Sequence, residues 1–156
     1  MTDCAAIFGC RGPVLTADEA AFFREARPWG FILFGRNIET PDQVRSLTAA
    51  LRDCIGRPDA PILIDQEGGR VQRLGPPYWR SWPAAGELGR LAGNDPSRAR
   101  EITRLGARLI AHDLSELGIT VDCLPVLDIP APDGHAVIGD RAYGTSPETV
   151  SILGRA

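Results

Sequence analysis

There is no lysine in this chain: all 17 of its basic residues are arginines. Histidine is almost as scarce, represented only by His112 and His135. No GxxxxGK[ST] stretch occurs, which removes the usual phosphate-binding loop. No predicted strand opens onto a G-x-G-x-x-G turn, so a dinucleotide site has no support. No apolar run approaches the roughly 20 residues of a membrane-spanning helix. The start, Met1-Thr2-Asp3-Cys4-Ala5-Ala6-Ile7-Phe8, carries no basic residue before its apolar part. A secretory leader would need one, so a cytoplasmic setting is expected. Net charge is −3 and the arginines form no long run, which gives no case for nucleic acid or a membrane as partner. Cys4, Cys10, Cys54 and Cys123 show no metal-ligand spacing. They are expected to be reduced thiols, mostly small buried residues, with neither zinc nor disulfides.

What remains is a globular composition. Hydrophobic residues make up 44% and charged residues 24% of the 156. That is enough for one domain with a real core.

Along the chain, strand-like and helix-like segments alternate. Ala5–Phe8 predicts a first strand. Thr16-Ala17-Asp18-Glu19 has the form of a capping box, opening a helix that ends before Pro28. Phe31–Phe34 predicts a second strand. Thr40-Pro41-Asp42-Gln43 supplies a cap, a proline at the first helical position and a box partner. Val44, Leu47, Leu51 and Ile55 then recur at helical spacing up to Gly56. Ile62-Leu63-Ile64 predicts a third strand, ending at Asp65. A loop with a short helix near Ala84–Leu91 follows. Asp95-Pro96 starts the longest helix, with Ile102, Leu105, Leu109, Leu114 and Leu117 as its expected buried face and Gly118 as its stop. Ile119–Leu127 predicts a fourth strand, and Ser146-Pro147-Glu148 a last helix. Alternation of this kind argues a parallel α/β fold. About four strand–helix units make half of an eightfold barrel, which typically needs about 250 residues. The expected fold is therefore the N-terminal part of a TIM-like (β/α)8 barrel occupying 1–156 and truncated at its C-terminus. An intact small domain with an open sheet is the alternative.

The chemistry-bearing stretch is Ile62–Arg73, in which three apolar residues run into Asp65-Gln66-Glu67-Gly68-Gly69-Arg70-Val71-Gln72-Arg73. In parallel α/β folds the ligand sits at the carboxyl ends of the strands. Asp65, Gln66 and Glu67 would stand at the mouth of such a site. Gly68 and Gly69 allow a sharp turn and close backbone approach. Arg70 and Arg73 supply planar donors, with Arg70 expected beside Glu67. Taken alone, these charges read equally well as an ion-pair network pinning a loop.

The nine-residue string closely resembles the signature of glycoside hydrolase family 3, N-terminal domain. It is most similar to the branch of bacterial β-N-acetylglucosaminidases (β-hexosaminidases) of peptidoglycan recycling. Phe31-Ile32-Leu33-Phe34-Gly35-Arg36-Asn37, Leu124-Pro125-Val126-Leu127-Asp128 and Val137-Ile138-Gly139-Asp140-Arg141 resemble three further motifs of that family, in family order. The resemblance implies that Asp65 binds hydroxyls of a terminal sugar and that Arg73 and Arg141 hold the same sugar. A carboxylate can accept two sugar O–H bonds, and an arginine fork suits vicinal oxygens. Arg36, Asn37, Glu67, Arg70 and Asp128 are expected to lock loops. Trp79 and Trp82 are expected to anchor loops rather than stack on sugar.

The implied reaction is retaining hydrolysis that releases terminal β-linked N-acetylglucosamine from GlcNAc–anhydro-muramyl fragments, with no metal and no cofactor. The family's nucleophilic aspartate and its Lys-His pair have no match here. Neither His112 nor His135 fits the catalytic histidine's motif. No catalytic residue is therefore assigned within the chain, and it alone is expected to be inactive. A family relative acting on β-glucosides, and a non-catalytic sugar-binding half-barrel, are the alternatives.

Overall fold

The computed structural model describes residues 3–133 and 135–156. In chain order the strands are β1 (Cys4–Phe8), β2 (Pro28–Leu33), β3 (Ile62–Ile64), β4 (Gln66–Gly68), β5 (Val71–Gln72) and β6 (Val121–Asp122). The helices are α1 (Ala17–Ala26), α2 (Pro41–Ile55), α3 (Ala85–Asn94), α4 (Pro96–Ser115) and α5 (Pro147–Gly154). Short 3-10 turns cover Gly35–Asn37 and Gly139–Arg141. Two compact units emerge: Met1–Asp65 with His112–Asp122, and Gln66–Ala111 with Cys123–Ala156.

The first unit holds a four-stranded, wholly parallel sheet in the order β1-β2-β3-β6. Parallel neighbours require crossovers, and α1 and α2 supply the first two. Phe31, Leu33, Ile62 and Ile64 are buried, as a strand covered by helices demands. The expected face of α2 is buried as well, with Val44, Leu47, Leu51 and Ile55 all inside.

Local signals explain where these helices begin and end. Thr16 and Glu19 form the predicted capping box at α1. Thr40 caps α2 by accepting from the Gln43 backbone amide. Gln43 does not complete a box; its Oε1 accepts from Glu39 N while Nε2 donates to Pro13 O and Asn37 O. Its longer side chain thus ties the preceding loop to the helix start. Gly56, at φ 65°, stops α2 in the left-handed conformation that glycine adopts without strain.

Two strands differ from expectation. β2 begins at Pro28, three residues before Phe31, because Cys4 pairs with Pro28. Proline is tolerated as the first residue of a strand. β6 is only Val121–Asp122, far shorter than the predicted Ile119–Leu127. Its partner β3 ends at Ile64, so nothing remains to pair with later residues. Pro125 would also bring no amide to a ladder.

The second unit contains an antiparallel hairpin of β4 and β5, where the sequence suggested only a loop. Gly68 ends β4 at φ 91°, and the turn is Gly69, at φ 57°, with Arg70. Two glutamines stabilise it. Gln66, buried, donates to Leu74 O and accepts from the amides of Arg73 and Leu74. Gln72 donates to Leu74 O and Arg80 O and accepts from Trp82 N. The core of this unit gathers Ala85, Ala92, Ala99, Tyr143, Val150 and Leu153.

The buried face of α4 is also rotated from the predicted one. Ala99, Thr103, Ile110 and Leu114 are buried, whereas Ile102, Leu105 and Leu109 are exposed. Ala99 is completely enclosed in the alanine-rich cluster. Small residues set the contact face here because they allow close packing, and a periodicity built on large side chains overlooks them. Leu114 and Leu117 are buried as predicted.

Candidate functional site

In the first unit the polar residues at issue follow the carboxyl ends of parallel strands. Asp65 comes directly after β3 and is half-buried. The loops after β1 and β2 are tied by Asn37, which is completely buried. Its Nδ2 donates to Cys10 O at 3.1 Å and Gly12 O at 2.9 Å, and its Oδ1 accepts from Phe34 N at 2.9 Å. Arg36 Nε adds a bond to Cys10 O, and its guanidinium lies 4.7 Å from the centre of the Phe34 ring. Both residues have the loop-locking contacts expected of them.

The segment between β1 and α1 is also tied by Glu19. Burial pushes its carboxyl up, but hydrogen bonds from the amides of Arg11 and Thr16 and from the Thr16 hydroxyl outweigh this. Its pKa ends below the ordinary carboxylate value. Burial, and then the Glu19 carboxylate, push the Cys10 thiol up.

In the second unit the β4–β5 hairpin meets the Gly139–Arg141 turn through two ion pairs. Glu67, nearly buried on β4, accepts from Arg141 Nε at 2.8 Å and Nη2 at 2.7 Å. This is the two-pronged arginine–carboxylate geometry. Arg70 pairs with Asp140 at 3.1 Å and donates to the carbonyls of Val137 and Ile138. The sequence led us to expect Arg70 beside Glu67. The partner is instead Arg141, because Arg70 sits in the hairpin turn itself and reaches the Val137–Asp140 segment. Arg73 is half-buried just beyond β5, and its amide donates to Gln66 Oε1.

The remaining candidates are placed as follows. Trp82 lines an apolar pocket with Leu88, Ile110, Leu124 and Tyr143, at the edge of which Glu67 stands. Trp79 packs edge-on to Tyr78. Asp128, His112 and His135 are exposed. His135 Nδ1 accepts from the Val137 amide two residues on. The contact missed by sequence reasoning is Glu67–Arg141. Its partners are 74 residues apart, and no local pattern links them.

Parallel strands in sequence order, joined by helices and followed by carboxylate- and arginine-bearing loops, define an α/β chain of the TIM-like barrel class. Residues 16–156 match the glycosyl hydrolase family 3 N terminal domain. The chain belongs to glycoside hydrolase family 3, and its fold is the N-terminal part of that family's barrel. It is 38% identical over 149 residues to a beta-hexosaminidase of Alkalilimnicola ehrlichii, a match covering 96% of the chain and 42% of the relative. A beta-hexosaminidase of Methylococcus capsulatus is 39% identical over 150 residues, covering 96% and 43%. The structure of NagZ from Neisseria gonorrhoeae in complex with N-trifluoroacetyl-D-glucosamine is similar with a TM-score of 0.89 and 33% identity. That similarity covers 98% of this chain and 44% of the other. The chain thus spans about two fifths of the length of these curated relatives.

Proposed function

We propose that this chain is the sugar-holding N-terminal part of a retaining, exo-acting β-N-acetylhexosaminidase. Its substrate would be a terminal β-linked N-acetylglucosamine on a peptidoglycan-derived fragment, such as one joined to anhydro-muramic acid, handled in the cytoplasm. The observation that carries this reading is the Asp65–Arg73 motif in a chain 38% identical to a named beta-hexosaminidase. The N-trifluoroacetyl-D-glucosamine bound by the similar NagZ favours an aminosugar over a plain glucoside.

In this reading Asp65 accepts sugar hydroxyls, and Arg73 and Arg141 donate to sugar oxygens. The carboxylate nucleophile that attacks the anomeric carbon, and the acid that protonates the departing oxygen, would come from sequence outside these 156 residues. Glu67 is unsuited to either task because both its oxygens bind Arg141.

Chromogenic β-GlcNAc and β-glucoside substrates test the proposal. Residues 1–156 alone should cleave neither, and a polypeptide of the relatives' length carrying this sequence should cleave the β-GlcNAc compound. Preference for the β-glucoside would replace the substrate assignment. Turnover by the short chain that vanishes in Asp128→Asn would overturn the view that the catalytic pair lies elsewhere.

A further inference from the structure

We propose that Glu67 is a positioning residue: it holds the guanidinium of Arg141 by its Nε–Nη2 edge and so fixes the direction from which Arg141 meets a sugar. The inference rests on the sugar-binding role proposed above for Arg141.

The geometry separates this contact from an ordinary surface ion pair. The Glu67 side chain is 5% exposed and that of Arg141 23%, against 49% and 57% for the neighbouring Arg70–Asp140 pair. Exposed pairs contribute little to stability. A nearly buried carboxylate that takes two parallel N–H bonds fixes both the position and the plane of the guanidinium. With Nε and Nη2 turned to Glu67, the side-on edge of Arg141 faces the hairpin. Nη1 lies 3.5 Å from the Val137 carbonyl, so the side-on fork is already taken and a ligand would meet Arg141 from another direction.

The sequence order of the charges reinforces the arrangement. The hairpin carries acid then base, Glu67 and Arg70; the turn carries acid then base, Asp140 and Arg141. The pairs cross, Glu67 to Arg141 and Arg70 to Asp140. Arg70 also holds the Val137 and Ile138 carbonyls. Arg70 thus docks the backbone of the turn, while Glu67 orients Arg141, which is the only one of these four charged residues proposed to touch sugar. Glycine at 68 and 69 brings the hairpin backbone against Pro83 and Ala84, which keeps the base of Glu67 from drifting.

The test uses the 156-residue chain, with N-acetylglucosamine as the probe and two independent readouts. The first is the Arg141 Nε–H signal in a nitrogen–proton correlation spectrum. It should exchange slowly with water in the wild type and quickly in Glu67→Gln, where a neutral amide replaces the carboxylate. The second is affinity for N-acetylglucosamine, which should fall about tenfold or more in Glu67→Gln, the size expected for losing a charged hydrogen bond. A role limited to filling space would leave both unchanged, because Gln has the same shape as Glu. Glu67→Asp should recover part of each signal. The charge-swapped Glu67→Arg/Arg141→Glu pair should restore thermal stability without restoring sugar affinity. Wild-type affinity in Glu67→Gln, or an unaltered Arg141 signal, would overturn the proposal. A wild-type chain that binds no aminosugar would count against the function assigned above, and the Arg141 signal would then decide whether Glu67 sets that side chain.

Discussion

Gly89 of α3 lies directly against the backbone of Tyr143: a Cβ at position 89 would fall on the Tyr143 carbonyl oxygen. The helix and the segment following the Gly139–Arg141 turn therefore pack backbone to backbone. Gly89→Ala should force them apart and destabilise the protein by about 1–3 kcal/mol or more, the usual cost of overpacking. Gly93, on the same helix, has open space around its Cα. Gly93→Ala should be neutral or stabilising by up to about 1 kcal/mol. Urea unfolding of the two variants side by side checks the contrast; equal effects would refute it.

Asn37 should be irreplaceable for the first unit. Removing its amide leaves the Cys10 and Gly12 carbonyls and the Phe34 amide without this partner. A cost of about 2–3 kcal/mol is expected for Asn37→Ala, since buried polar groups deprived of partners are penalised at that scale. Asn37→Asp should be at least as harmful, because a carboxylate would face two carbonyl oxygens. A loss of stability below about 0.5 kcal/mol in urea unfolding would contradict the loop-locking role.

Glu19 predicts an acid-sensitive contribution to stability. Its folded-state pKa is below the ordinary carboxylate value, so the unfolded chain binds its proton more readily. The contribution is complete above the unfolded pKa, about 4.3, and is lost as pH falls through the folded value. Glu19→Gln should therefore be destabilised at pH 6, with the gap to wild type closing in acid. A gap that stays constant down to pH 2.5 would show that the carboxylate's ionisation is not what matters.

Thiol reactivity should follow burial. None of the four cysteines is in a disulfide; Cys4 and Cys123 are exposed and Cys10 is buried. Burial raises the thiol pKa at both Cys10 and Cys54. An aromatic disulfide reagent at pH 7.5 should label Cys4 and Cys123 first and Cys10 last, with all four reacting after unfolding. Rapid native labelling at Cys10 would mean that the loop held by Asn37 opens freely.

Asp65→Ala should abolish most binding of N-acetylglucosamine, at about 1.5–3 kcal/mol for each charged hydrogen bond lost. Calorimetric titration decides this, and unchanged affinity would remove Asp65 from the proposed sugar site.

The sequence alone determined which segments become helices and strands where local chemistry is decisive. The Thr16–Glu19 box, the Thr40-Pro41 start, the Gly56 stop and the spacing of Val44, Leu47, Leu51 and Ile55 each act over a few residues. It also gave away the family, because the Asp65–Arg73 string is contiguous. Tertiary structure decided what depends on distant partners. The fourth strand stops at Asp122 because β3 stops at Ile64. The hairpin forms because Gln66 and Gln72 find carbonyls and amides beyond it. The α4 face is chosen by Ala99 packing into a cluster with Ala85, Ala92, Tyr143, Val150 and Leu153, and hydrophobic periodicity weights an alanine too lightly to show it. Glu67 chose Arg141 over nearby Arg70 for the same kind of reason. A carboxylate pairs with the guanidinium that folding brings to it, and a separation of 74 residues leaves no local trace of that choice.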